Sequence, residues 1–422
     1  MGAALSAGKS GLELWTEKPR YFPGEVVQGV VALGLCEPVQ GKDIKVVLEV
    51  FGFESCSWEE EPSGNAQDAS RGTFRRELLN VSQALHVWED AGGVVPAGQY
   101  EFSFKVLLPS ALPGSFRLRE ANTTRGGVTY QKLSTEVEYR LRAELLRSPP
   151  PGAGAGGSGS GSSGGGAGGG GTCVLRSSKE LVVRQPAPLT LSELTATEEL
   201  RVTRCCCLVY GSVELRLRAV HDSFCPGETG YLSLEVHNKT DVSLRVHVAL
   251  QQLLSVATEG ACNYMEETRV YSQRCEDLPN GASFQGTNAR LLPLPLDPAL
   301  PPTTVGQLVR CTYRAHVTVA AGRVGASRIE MVIPLVLHAP ASTSYIDYGI
   351  RIPDGWKPSL STLPVHLAVS AATSRAQTPQ HPNRQPQPLM AVGSGDAGAE
   401  RPELDGNAGA VGTANPAYAG PS

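Results

Sequence analysis

Short runs of alternating apolar and polar side chains recur along this chain. Asp43-Ile44-Lys45-Val46-Val47-Leu48-Glu49-Val50-Phe51, Val213-Glu214-Leu215-Arg216-Leu217-Arg218-Ala219-Val220 and Tyr231-Leu232-Ser233-Leu234-Glu235-Val236 each put one alternate set of side chains on an apolar face. A period of two predicts half-buried antiparallel strands. Amphipathic helices are scarce, and residues 192–199 are acidic and short. Many strands separated by Gly and Pro turns predict an all-β chain built of antiparallel, immunoglobulin-like sandwiches.

The alternation is interrupted twice. Residues 149–171 read PPPGAGAGGSGSGSSGGGAGGGG, a flexible coil by composition. Strand-like pieces at 173–175 and 180–183 follow it. Loop closure costs only about 0.6 kcal/mol per doubling of length, so the tract reads as a loop insertion within one sandwich. The expected organisation is a first sandwich over 11–185, a second over 186–345, and a disordered tail over 346–422, where Ala, Pro, Gln, Ser and Gly take over.

The halves repeat one another. Tyr21-Phe22-Pro23-Gly24-Glu25 before one alternating run matches Ser223-Phe224-Cys225-Pro226-Gly227-Glu228 before another. Leu108-Pro109-Ser110-Ala111-Leu112-Pro113 matches Leu296-Asp297-Pro298-Ala299-Leu300-Pro301-Pro302. Each is followed by a Tyr-Arg strand, 138–145 in the first half and 311–319 in the second. Pro presets φ at the second position of a turn and Gly supplies φ > 0 at the third. Pro23, Gly24 and Glu25, like Pro226, Gly227 and Glu228, therefore read as domain-opening turns, not as sites of carboxylate chemistry.

These elements, in this order, resemble the arrestin family, and most closely its arrestin-domain-containing (α-arrestin) branch. Ser115-Phe116, Ile333-Pro334-Leu335-Val336 and Cys205-Cys206-Cys207 leading to Gly211 fit the same pattern. The resemblance covers about residues 11–340 without the glycine tract. It implies two tandem β-sandwiches serving as a non-enzymatic adaptor that couples membrane cargo to endocytic and protein-transport machinery. A structural coat subunit, like the arrestin-fold subunit of retromer, is the alternative. The Pro-Pro-x-Tyr motifs by which α-arrestins recruit ubiquitin ligases do not occur here.

Charge and composition narrow the chemistry. A net charge of −4 over 422 residues gives no broad basic surface for nucleic acid. Arg140, Arg142, Arg216 and Arg218 mark solvated strand faces and offer a modest basic surface for acidic or phosphorylated cargo. The 10 cysteines are scattered; Cys205, Cys206 and Cys207 lack the paired spacing of a zinc site and read as apolar packing. No cofactor or metal is expected. Without a secretory signal or a membrane-length apolar run, the expected location is the cytosol.

Two short motifs remain. The opening MGAALSAGKSG ends in Gly8-Lys9-Ser10, yet a phosphate loop needs four residues between its glycines and a preceding strand, and has neither here. Gly2 with Ser6 fits an N-myristoylation acceptor, which predicts reversible association with the plasma or endosomal membrane. Asn415-Pro416-Ala417-Tyr418 matches Asn-Pro-x-Tyr, a linear motif read by endocytic adaptors.

Overall fold

The alternating runs pair into four principal antiparallel sheets. The computed structural model describes residues 9–60, 70–89, 93–125, 128–148, 172–187, 192–204, 208–257, 263–321, 327–338 and 356–368. All of them belong to one compact unit ending at Gln380. Gly2, the tract 149–171, Cys205, Cys206, Cys207 and Asn415 to Tyr418 lie outside the described residues.

In the first sandwich, one sheet holds β1 (Gly11–Thr16) and β2 (Val26–Leu35). The other holds β3 (Lys42–Glu60) and β4 (Ser70–Val87). β5 (Gly98–Leu107) returns to the first sheet on the far side of β2. β6 (Phe116–Arg125), β7 (Val128–Ser148) and β8 (Thr172–Glu180) complete the second, in the order β8-β7-β3-β4 with β6 also on β7. β8 pairs with β7 from Arg140↔Glu180 to Arg147↔Thr172. The glycine-rich segment thus joins two neighbouring strands of one sheet.

The second sandwich repeats the plan. β9 (Thr195–Arg204), β10 (Leu208–Ala219) and β11 (Thr229–Asn238) form one sheet. β12 (Leu244–Ala257) and β13 (Asn263–Arg274) begin the other, and β14 (Arg290–Pro295) returns to β11. β15 (Val309–Ala321) and β16 (Arg328–Leu335) extend the β13-β12 sheet. Alternate residues such as Leu48, Val50, Phe102 and Leu141 in the first half, and Leu232, Leu234, Val248 and Val317 in the second, are buried in the core. Each such side chain contributes about 1.5–3 kcal/mol by leaving water. The expected all-β, two-sandwich class is what the chain adopts.

The repeated motifs occupy equivalent corners. Gly24 (φ 83°) and Gly227 (φ 91°) take the left-handed region that Gly enters without strain. Glu25 N–H donates to Phe22 O at 3.1 Å, and Glu228 N–H to Cys225 O at 3.2 Å. Each carboxylate folds back to accept from the backbone N–H that opens its turn, Phe22 at 3.0 Å and Cys225 at 2.6 Å.

The sandwiches meet along a seam of polar clamps. Glu54 of β3, fully buried, accepts from the backbone N–H groups of Gln307 (3.2 Å), Leu308 (2.8 Å) and Val309 (2.7 Å). Burial pushes its carboxyl pKa up, against the pull of those three donors and of Arg76. A Cβ at Gly306 would meet Glu54 Oε1 at 2.0 Å, so only Gly admits the carboxylate there. Gln185 Oε1 accepts from Gly114 N–H and Val305 N–H, and Thr304 Oγ1 donates to Gly114 O at 2.7 Å.

One stretch of the expected tail is ordered against the first sandwich. Residues 360–368, read from sequence as disordered, form β17 (Leu360–Ala368), which pairs in parallel with β5. An existing sheet edge supplies hydrogen-bond partners that the sequence cannot display. Lys357 N–H donates to Gln99 Oε1 at 2.7 Å, Ser359 N–H to Gln99 O at 2.7 Å, and Trp356 packs edge-on against Trp15 at 6.0 Å.

Candidate functional site: an unpaired arginine face

The outer faces of the two sandwiches carry charge differently. On β7, Glu136, Glu138, Arg140, Arg142 and Glu144 share one face, so acids and bases interleave. Arg140 pairs with Glu138. Arg142 pairs with Glu49 of β3, lies 3.6 Å from Glu144, and stacks 5.0 Å over the Phe51 ring. Arg176 bonds Glu144 at 2.7 Å, and Arg117 bonds Glu136 at 2.7 Å. In the second sandwich Arg216 stands 4.0 Å from Glu235. Of the four arginines singled out from sequence, Arg140, Arg142 and Arg216 are therefore neutralised by neighbours, and Arg218 alone has no carboxylate partner among the described residues.

Uncompensated positive charge sits elsewhere, on the β13-β12-β15-β16 sheet. Along β15 the buried residues alternate with Arg310, Thr312, Arg314, His316 and Thr318, which face outward. Arg314 is opposite Gln251 of β12, and Gln251 is opposite Arg269 of β13. Strands lie about 4.8 Å apart, so two arginines flank one glutamine across roughly 10 Å. Arg310 stands four residues along β15 from Arg314, about 13 Å away. At the other end, Arg245 and Arg328 flank Ala320 in the same manner.

None of Arg245, Arg269, Arg310, Arg314 and Arg328 has a carboxylate partner among the described residues. Glu267 shares the outer face with Arg269 on β13 and forms no ion pair there, while Glu330 is held by His316 at 2.8 Å. Arg274 is taken up by Asp277, its Nη2 donating to both carboxylate oxygens at 2.9 Å. Exposed Met265 (63%) and Val332 (41%) lie on the same face. Planar guanidinium groups bind carboxylate or phosphate in a fork, each bond stronger than a neutral one. On a chain of net charge −4, this face is a local basic surface suited to an anionic partner.

Nucleophiles and ligands do not assemble among the described residues. No group of three His, Cys, Asp or Glu side chains is placed to hold a metal ion. Cys311 lies buried in the core beside Tyr313, and burial pushes its thiol up to about 11, far from a reactive thiolate. Glu25 and Glu228 are spent within their own turns. No helix among the described residues is long and apolar enough to cross a membrane.

Sequence reasoning missed Arg269, Arg310 and Arg314. A signal was present: Arg140 and Arg142 stand among glutamates at even spacing, whereas Arg310 and Arg314 stand among Thr and His with no acid at the alternate positions of their own strand.

Against family models, residues 12–147 match the arrestin (or S-antigen) N-terminal domain and residues 210–342 the arrestin (or S-antigen) C-terminal domain. Comparison with curated proteins returns no match. The two domain matches occur in order on the two sandwiches and together cover more than half of the chain, which belongs to the arrestin family.

Proposed function

We propose that this protein is a non-enzymatic adaptor of the α-arrestin branch that binds acidic cytoplasmic segments of membrane proteins and links them to endocytic and protein-transport machinery. Arrestin domains support an adaptor role in general. The observation that carries the finer reading is the contrast in charge pairing: on and beside β7, Arg117, Arg140, Arg142 and Arg176 are matched by acids, while Arg269, Arg310 and Arg314 are left to meet an external anion. In this reading the protein works in the cytoplasm with peripheral membrane association. Gly2 acts as an acyl acceptor, and Asn415-Pro416-Ala417-Tyr418 is the segment that recruits sorting adaptors. One myristoyl chain anchors only marginally, so cargo contact through the arginine face supplies the second attachment.

A fluorescent Glu/Asp-rich 15-residue peptide tests the recognition surface. Wild-type protein binds it with an affinity that falls as salt rises, and Arg269→Glu with Arg310→Glu and Arg314→Glu abolishes binding without lowering the unfolding temperature. Equal binding by the variant contradicts the assignment. Binding of the wild type to phosphatidylserine vesicles but not to the peptide would reassign the face to the membrane surface.

A further inference from the structure

The seam between the sandwiches contains a second kind of contact, on the side of the Pro-Gly-Glu turns. His338 is 5% exposed, and its ring stands edge-on to Phe22 of the first sandwich at 5.8 Å. The backbone N–H of His338 donates to Phe224 O at 2.8 Å, and the backbone N–H of Phe224 donates to Val336 O at 2.9 Å. The imidazole therefore sits wedged between the two turn segments that open the sandwiches. Its Nδ1 is buried without a hydrogen-bond partner. Two charged groups face it: Arg20 from the first sandwich and Asp222 from the loop preceding Phe224. Cys225, on that same loop, also lies in the field of Arg20.

We propose that His338 is an acid-sensitive wedge: protonation of its imidazole in mildly acidic solution loosens the contact between the Phe22 turn and the Phe224 segment. The neutral ring needs no acceptor at Nδ1 and packs against Phe22 as an aromatic. The imidazolium carries a second N–H at a buried position that offers it no acceptor, and it places a positive charge in the field of Arg20 across the seam. Burial, the largest cause, lowers the pKa of this histidine; Asp222 opposes that shift and Arg20 reinforces it. The opened seam takes up a proton near the ordinary value of about 6.5, whereas the closed seam does so only at lower pH. The contact is thus strong above that value and weakens as pH falls through it. Glu54, on the other clamp, has a raised pKa, so acid does not act against the closed seam there. Acid thus releases one clamp while the other holds, which makes the seam a hinge.

Hydrogen exchange on the full chain at pH 7.5 and 5.5, normalised for intrinsic rates, reads this directly. In the wild type, exchange in segments 18–25 and 221–228 rises several-fold at pH 5.5, and in His338→Phe, which keeps an aromatic ring and loses the titration, it does not. Arg20→Gln, which brings the closed-seam pKa toward the opened one, shrinks the acid-induced rise, Asp222→Asn enlarges it, and a merely structural role for His338 predicts neither change. An unchanged seam at pH 5.5 in the wild type, or an acid response retained in His338→Phe, overturns the proposal.

Discussion

Tyr139 and Tyr313 make the same bond in the two halves of the molecule. Tyr139 Oη donates to Pro113 O at 2.7 Å, and Tyr313 Oη donates to Pro301 O at 2.6 Å. Each ties the late tyrosine strand to the proline-rich corner that precedes it. The halves differ in what lies across the sheet. Tyr139 is paired with Gly52, where a Cβ would meet the ring at 2.4 Å, whereas Tyr313 is paired with Gln252, whose Nε2 donates to its hydroxyl at 2.9 Å.

Removing either hydroxyl leaves a proline carbonyl without its donor. Tyr139→Phe is expected to destabilise the first sandwich by about 1–2 kcal/mol. Tyr313→Phe is expected to cost at least as much in the second, because Gln252 also loses its acceptor. Urea unfolding of each variant measures both. Gly52→Ala is the steric counterpart, and overpacking against Tyr139 predicts a loss of about 1–3 kcal/mol.

Glu54 holds three backbone donors of the other sandwich at once. Glu54→Ala strands those N–H groups and is expected to cost about 3 kcal/mol or more, with unfolding of the two sandwiches separating into two calorimetric transitions. Glu54→Gln keeps one acceptor oxygen and costs less. Because the folded carboxyl has a raised pKa, the unfolded chain releases this proton first as pH rises. Glu54 therefore contributes a stability that declines from its ordinary value of 4.5 upward through its folded value. Glu54→Gln should flatten that decline in a pH series of thermal melts.

β17 lies on the sheet edge at β5 and buries Leu367 to 2% exposure, while Leu363 stands 88% exposed at the shift in register between Thr362 and Val365. Trp356 Nε1 and Thr362 Oγ1 are buried without partners, so this strand is held less completely than its neighbours. Leu367→Ala should cost about 2–3 kcal/mol locally and raise hydrogen exchange in β17 and along β5. Exchange in β3 and β7 should be unchanged. Deleting residues 356–368 bares β5 as a sheet edge and predicts concentration-dependent self-association, which sedimentation velocity detects.

What the sequence displays and what it withholds follow from how local each signal is. The Pro-Gly-Glu turns and the Tyr139 and Tyr313 strands were legible because each is specified within a few residues and occurs twice. Arg142 was misjudged as available charge because one partner, Glu49, is brought beside it by strand pairing across 93 residues of chain, whereas Arg140's partner, Glu138, stands only two residues away on the same strand. Glu54 left a trace: it occupies an inward position in a run whose other inward residues are Val50, Gly52, Cys56 and Trp58. A charge there signals an unseen partner, which the second sandwich supplies. β17 left none, since its Leu363-Pro364 step argues against a strand and its order derives from the edge it lies on.

The central claim, that this arrestin-family chain is an adaptor engaging acidic membrane cargo through the second sandwich, is tested most directly by proximity labelling in cells. Wild type is compared with Gly2→Ala and with the Arg269→Glu, Arg310→Glu, Arg314→Glu variant. The account predicts that wild type marks membrane proteins with acidic cytoplasmic segments together with endocytic adaptors. The arginine variant should lose the membrane proteins, and Gly2→Ala should label both groups less. If all three mark one unchanged set of soluble subunits, the protein is a coat component and the adaptor account is wrong.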